Sequence, residues 1–171
     1  MAHHDDDEFA EYFAAKRDSV RRTAYLLCGD WHKADDLAQT AFVSLHRRWR
    51  KIRDRAAVDA YLRKTLVRAA IDESRRPWRR EQHTDELPEP RGTSDADALA
   101  DRVSVRADLL AGLAKVPAKQ RAVLVLRYFD GLDVSSTARA LRCSEGNVKS
   151  QTARGLAKLR AALGEEVEAH G

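Results

Sequence analysis

The sequence predicts an all-α protein of two small helical domains joined by a flexible acidic linker. Three observations carry this. Apolar residues recur at helical spacing along most of the chain, and no stretch alternates as a strand does. Ala, Arg and Leu dominate, with only 8 Gly and 4 Pro in 171 residues, a composition that favours helix. Charge is segregated along the chain. Residues 51–80 hold ten bases against four acids (+6), residues 81–101 seven acids against Arg91 (−6), and residues 139–160 six bases against Glu145 (+5). Two positive blocks around a negative one suggest two polyanion-binding surfaces on separate modules.

Phe9, Phe13, Val20, Ala24 and Leu27 predict a first helix over residues 8–27, ended by Cys28-Gly29-Asp30. Leu37, Ala38, Ala41, Phe42, Leu45 and Trp49 form the apolar stripe of a second helix. Residues 51–57 are charged and stripe-free, which predicts a loop. A third helix is expected over residues 58–76, stopped by Pro77. Residues 81–101 mix acids with Pro88, Pro90, Gly92, Thr93 and Ser94, the composition of a flexible linker. The expected division is therefore 8–80, linker 81–101, and 102–164. Beyond the linker, Val105, Leu109, Leu113 and Val116 predict a helix ended by Pro117, and residues 118–129 another closed by Asp130-Gly131. Two last helices are expected over residues 134–141, capped by Asp133, and from Ser144 to about residue 163.

Cys28 and Cys143 form no disulfide framework or zinc spacing, as expected of a protein in the reducing cytoplasm. No stretch is apolar and long enough for a membrane span, and the acidic N-terminus does not read as a signal peptide.

The final helix pair has the form of a helix-turn-helix, whose second helix suits the major groove. Val148, Thr152, Gly155, Leu156, Leu159 and Leu163 form its apolar back. Asn147, Lys149, Ser150, Gln151, Arg154 and Lys158 point forward or sideways. Arg and Lys suit guanine and phosphate; Asn and Gln suit adenine. Gly146 and Gly155 are costly inside a helix, which predicts close backbone approach at these positions. Periodicity alone also allows an amphipathic surface helix, and it does not separate one helix-turn-helix family from another.

The residues themselves make that separation. The run from Val116 to Leu132 (VPAKQRAVLVLRYFDGL), the run from Cys143 to Ser150 (CSEGNVKS) and the run from Arg154 to Arg160 (RGLAKLR) resemble domain four of extracytoplasmic-function sigma factors. The run from Ala34 to Val43 (ADDLAQTAFV) is similar to the polymerase-binding helix of their domain two. The resemblance spans nearly the whole chain and extends to actinobacterial members in its Arg-rich, Trp-containing style. It implies a sigma domain two and a helix-turn-helix domain four, directing core RNA polymerase to promoters. Positions matching the −35 reading helix are Lys149, Ser150, Ala153 and Arg154. Asp35, Asp36, Gln39 and Phe42 would face the clamp coiled coil of the largest polymerase subunit, and domain four the flap of the second-largest. Ser135, Ser136 and Thr137 depart from the family's usual acids and isoleucine, which predicts looser packing of the first supporting helix.

Tyr61, Lys64, Arg68 and Arg75 lie at offsets of 3, 7 and 14, so one helical face carries them. With Arg76, Arg79, Arg80 and Trp78 they supply charge for phosphates and flat surface for unstacked bases. The resemblance implies that this helix and the loop Ile52, Arg53, Asp54 and Arg55 capture a base flipped from the −10 non-template strand. It also implies a possible anti-sigma partner, without cofactor, metal or membrane.

Two other classes of function would leave different marks in the sequence. A free-standing helix-turn-helix regulator would need a receiver or ligand module, and the N-terminal half lacks the strand–helix alternation of one. A small nuclease would need clustered carboxylates or histidines. Asp5 to Asp7 and Asp35-Asp36 are the close carboxylate clusters, and neither joins a catalytic constellation. The expectation is a non-enzyme. The linker's charge would either mimic nucleic acid inside polymerase or repel DNA from the free protein.

Overall fold

A computed structural model describes residues 2–76 and 107–170, with side chains over 4–76 and 107–164. The expected linker, together with Trp78, Arg79 and Arg80, lies outside the described residues. Among the described residues every regular element is helical.

Helix α1 (Ala2–Cys28), α2 (Trp31–Arg48) and α3 (Arg55–Ser74) form the N-terminal module. Gly29, at φ +75, supplies the left-handed turn between α1 and α2. Asp30 then caps α2, accepting from the backbone N–H of His32 (2.8 Å) and Lys33 (3.4 Å). The charged stretch after α2 is shorter than expected. A single 3₁₀ turn at Trp49–Lys51 leads to Ile52–Asp54, and Asp54 caps α3 by accepting from Ala56 N–H (3.2 Å). The core comprises Tyr12, Val20 and Ala24 of α1, Ala34, Leu37, Ala38, Ala41, Phe42 and Leu45 of α2, and Val58, Leu62 and Leu66 of α3. The Tyr12 hydroxyl donates to the Asp59 carboxylate and ties α1 to α3. Phe13, expected in the core stripe, is 38% exposed, and Tyr12 takes its place.

The C-terminal module contains α4 (Ala107–Ala114), α5 (Ala118–Leu124), α6 (Val134–Leu141) and α7 (Glu145–His170). The sequence treated residues 118–129 as one helix. The α-helical part stops at Leu124, and a π-helical turn continues over Val125–Phe129. It ends with Asp130 N–H on the Val125 carbonyl (3.0 Å) and Gly131 at φ +70. The extra residue in this turn leaves Tyr128 and Phe129 facing solvent. Asp133 caps α6 through Ser136 N–H (2.7 Å), and Ser144 caps α7 through Asn147 N–H (3.0 Å). Both caps match the sequence reading.

The turn between α6 and α7 has an unexpected pivot, Arg142, a non-glycine residue in the left-handed region at φ 53. Cys143 N–H reaches back to the Ala138 carbonyl (3.1 Å), the six-to-one bond of a Schellman ending. Thr137 is fully buried, and its hydroxyl donates to the Asp133 carbonyl (2.8 Å). The expected loosening of α6 at this position is absent because the polar group is satisfied within the helix.

The two modules touch. Leu26 at the end of α1 is buried among Leu113, Val116, Leu124 and Val125, and Val67 of α3 among Ala122, Leu126 and Ala140. Nothing in the local periodicity foretold this packing.

Candidate nucleic-acid and polymerase interfaces

Helix α7 is two-faced, as a groove-reading helix must be. Val148 is fully buried against Val123 and Ala138, and Leu156 and Leu159 pack on the cluster around Leu113 and Leu124. Gly155 is buried, and a Cβ there would lie 3.2 Å from Leu124 Cδ1. Its role is close packing of α7 on α5. Gly146 meets nothing nearer than Ser144 Oγ at 3.9 Å, so protein packing does not explain it. On the front, Asn147, Lys149, Ser150, Ala153, Arg154 and Lys158 are exposed, with Gln151 half-buried. The expected reading residues thus share one solvent-facing surface that begins at the N-terminal turn of α7.

The second cationic region divides. Ile52, Arg53 and Arg55 line a hollow of about 380 Å³ with Trp49, Arg50 and Val58. Asp5 and Glu8 form its acidic rim, and Arg50 pairs with Asp5 at 3.5 Å. The exposed Asp54 carboxylate also caps α3, its Oδ1 accepting from Ala56 N–H. Arg55 lies 5.7 Å over the Tyr12 ring, and Arg48 5.7 Å over Tyr61. Lys64 and Arg68 lie further along α3 towards Arg142 of the C-terminal module. Burial and the neighbouring cations hold both below their ordinary pKa values. Arg75 ends α3, and Arg76 pairs with Glu73 at 3.9 Å.

A groove of about 690 Å³ runs between α1 and α2, lined by Phe9, Phe13, Asp35, Gln39, Phe42 and Val43 among others. Asp36 and Gln39 are exposed, and Asp35 pairs with Arg21. Phe42 is not a free contact. Its ring is 5% exposed and meets Phe13 edge-on at 4.8 Å, so it shapes the groove from beneath. The exposed apolar surface comes from Phe13 and Val43, which the sequence reading did not assign to an interface. The available signal was Val43 itself, an apolar residue off the stripe of α2. Among the described residues no His, Cys, Asp and Glu group could hold a metal ion, and no helix is long and apolar enough to cross a membrane.

Comparisons with known proteins agree with this architecture. Residues 13–80 match the family Sigma-70 region 2, and residues 106–159 match Sigma-70, region 4. The chain is 38% identical over 164 residues to the RNA polymerase sigma-E factor of Streptomyces avermitilis, covering 95% of this chain and 89% of that protein. It is 32% identical over 156 residues to the extracytoplasmic-function sigma factor SigM of Mycobacterium tuberculosis, covering 91% and 77%. Its fold is similar to that of the Bartonella quintana sigma factor RpoE, crystallised with the anti-sigma factor NepR. There the TM-score is 0.68 at 20% identity, over 91% of this chain and 96% of that one. With both regions matched in order and along almost its full length, the chain belongs to the sigma-70 family, as an extracytoplasmic-function RNA polymerase sigma factor.

Proposed function

We propose that residues 8–80 dock on core polymerase and open the −10 region while residues 102–164 grip the −35 duplex, with the acidic segment between them as tether. The observation that carries this is α7: a buried back at Val148 and Gly155, and an exposed front that carries Asn147, Lys149, Ser150, Arg154 and Lys158. Lys149 and Arg154 lie one to two turns from the helix start, where a helix entering the major groove meets base edges. Ile52, Arg53 and Arg55 would receive an unstacked −10 base in the hollow beside Trp49. Asp36 and Gln39 would meet basic and polar groups on the polymerase clamp, with Phe13 and Val43 adding apolar area. Run-off transcription with core polymerase tests the assignment. Lys149→Ala and Arg154→Ala should each lower use of a matched −35 element about tenfold or more, as loss of a good base contact worth about 1–3 kcal/mol predicts. Equal loss on a scrambled −35 element would reject base reading. Asp36→Arg should abolish capture of core in a pull-down, and unchanged capture would reject that docking face.

A further inference from the structure

The first turns of α1 reach past the core to the hollow beside Trp49. Asp5, Glu8, Phe9 and Tyr12 follow at helical spacing, so one face of α1 carries all four. The later part of this face is aromatic and packed: Tyr12 meets the Trp49 ring at 5.5 Å, and Phe9 meets it edge-on at 5.3 Å. The earlier part is acidic, and Asp5 and Glu8 line the hollow together with Arg50, Arg53 and Arg55. Two acid–base pairs stitch this end of α1 to the end of α2 and the turn after it, Asp5 to Arg50 at 3.5 Å and Asp6 to His46 at 3.9 Å. Glu8 lies 3.0 Å from His4 on its own helix.

The positive end of the helix dipole favours acids in the first turn of any helix. It does not dictate that they face the hollow. Three arginines and two carboxylates line it, so the lining carries +1 where the arginines alone would give +3. The Asp5–Arg50 pair is open to water, its side chains 39% and 69% exposed. Such pairs are weak, so a phosphate can take the place of the Asp5 carboxylate at Arg50.

We propose that Asp5 and Glu8 form a built-in anionic competitor at this hollow: Asp5 occupies Arg50 until a strand phosphate displaces it, and both carboxylates raise the threshold for strand capture. The proposal rests on the reading of the hollow as the −10 strand site. The competition opposes phosphates, which carry no sequence information. It therefore weakens capture of every strand alike and leaves the choice of sequence to contacts inside the hollow.

Holoenzyme reconstituted from core polymerase and the full chain tests this, titrated with a fluorescent single-stranded −10 non-template oligonucleotide over a range of salt. Asp5→Asn combined with Glu8→Gln should tighten binding about threefold to tenfold at low salt, by the same factor on a matched and a scrambled strand. In the parent, the displaced Asp5 takes up a cation as the phosphate sheds one. Without Asp5 the release is net, so log K should fall more steeply with log salt, by about 0.7 for one phosphate. Asp7→Asn removes the same charge from the same turn but off that face, and should change neither quantity. Unchanged affinity and slope in the double variant overturn the competitor, as does an equal gain from Asp7→Asn. Arg50→Ala added to the double variant should cancel the steeper slope, and a slope that persists rejects Arg50 as the contested cation. Arg53→Ala in the parent should weaken binding. Unaltered binding there rejects the hollow as the strand site, a failure distinct from that of the acidic rim.

Discussion

Two glycines of α7, costly alike by propensity, have different physical causes. At Gly155 an added methyl presses on Leu124, which is buried in a packed cluster and has nowhere to move. Gly155→Ala should therefore lower the thermal midpoint by several degrees, because overpacking of about 1–3 kcal/mol exceeds a helix-propensity gain of about 1 kcal/mol. Gly146 faces open space, so Gly146→Ala should raise the midpoint. If it also weakens −35 binding, close approach to the DNA backbone is what keeps that position bare. Cys28 makes a pH prediction. Burial pushes its thiol up to about 11 from 9.0, and the Sγ donates to the Asp30 carbonyl at 3.3 Å. The unfolded thiol ionises first, so the unfolded state binds fewer protons between pH 9 and 11 and stability falls across that window. Cys28→Ser should flatten that part of the stability–pH curve. At pH 8 iodoacetamide should modify Cys28 far more slowly in the folded than in the denatured protein.

At the scale of the element, the helix-turn-helix is held by local chemistry. Ser144 fixes the first turn of α7, from which the proposed reading face begins. Ser144→Ala should cost about 1 kcal/mol and Ser144→Asp little, with −35 binding falling more than core binding, because fraying starts at Asn147. A thermal melt with paired DNA and core titrations checks this. Arg142 is strained as a non-glycine residue at positive φ. Arg142→Gly should raise the melting midpoint by removing both the strain and the charge repulsion with Lys64 and Arg68. A lower midpoint would show that the Arg142 side chain makes a stabilising contact. These elements were largely legible beforehand because caps, stripes and the positions of proline are local. The π-turn at Val125–Phe129 was not, since a run of apolar residues spaced for a helix does not reveal one inserted residue.

For the whole molecule, promoter recognition by two modest DNA contacts requires that their spacing be fixed, since tethered weak sites act as one only at matched geometry. Footprinting should show protection of both promoter elements with core polymerase and neither with the free chain. Strong −35 protection by the chain alone would favour a free-standing regulator. Both faces read from the sequence were partly rearranged at this scale. Phe13 turned outward, Val43 joined it in lining the groove between α1 and α2, and Lys64 and Arg68 came within reach of the Arg142 charge.

The sequence by itself determined the helices, most of their ends and the two-faced character of α7. These follow from spacing at 3.6 residues per turn, from side chains that cap a neighbouring backbone, and from residue types that suit phosphate and base edges. Its motif runs also determined the family. Tertiary structure alone decided which apolar residues serve which core. Leu26 and Leu27 are adjacent in sequence and about 100° apart around α1. Leu26 is committed to the C-terminal cluster, whereas Leu27 also contacts the N-terminal core. Periodicity says that a face must be covered, but the surface that covers it comes from residues a hundred positions away.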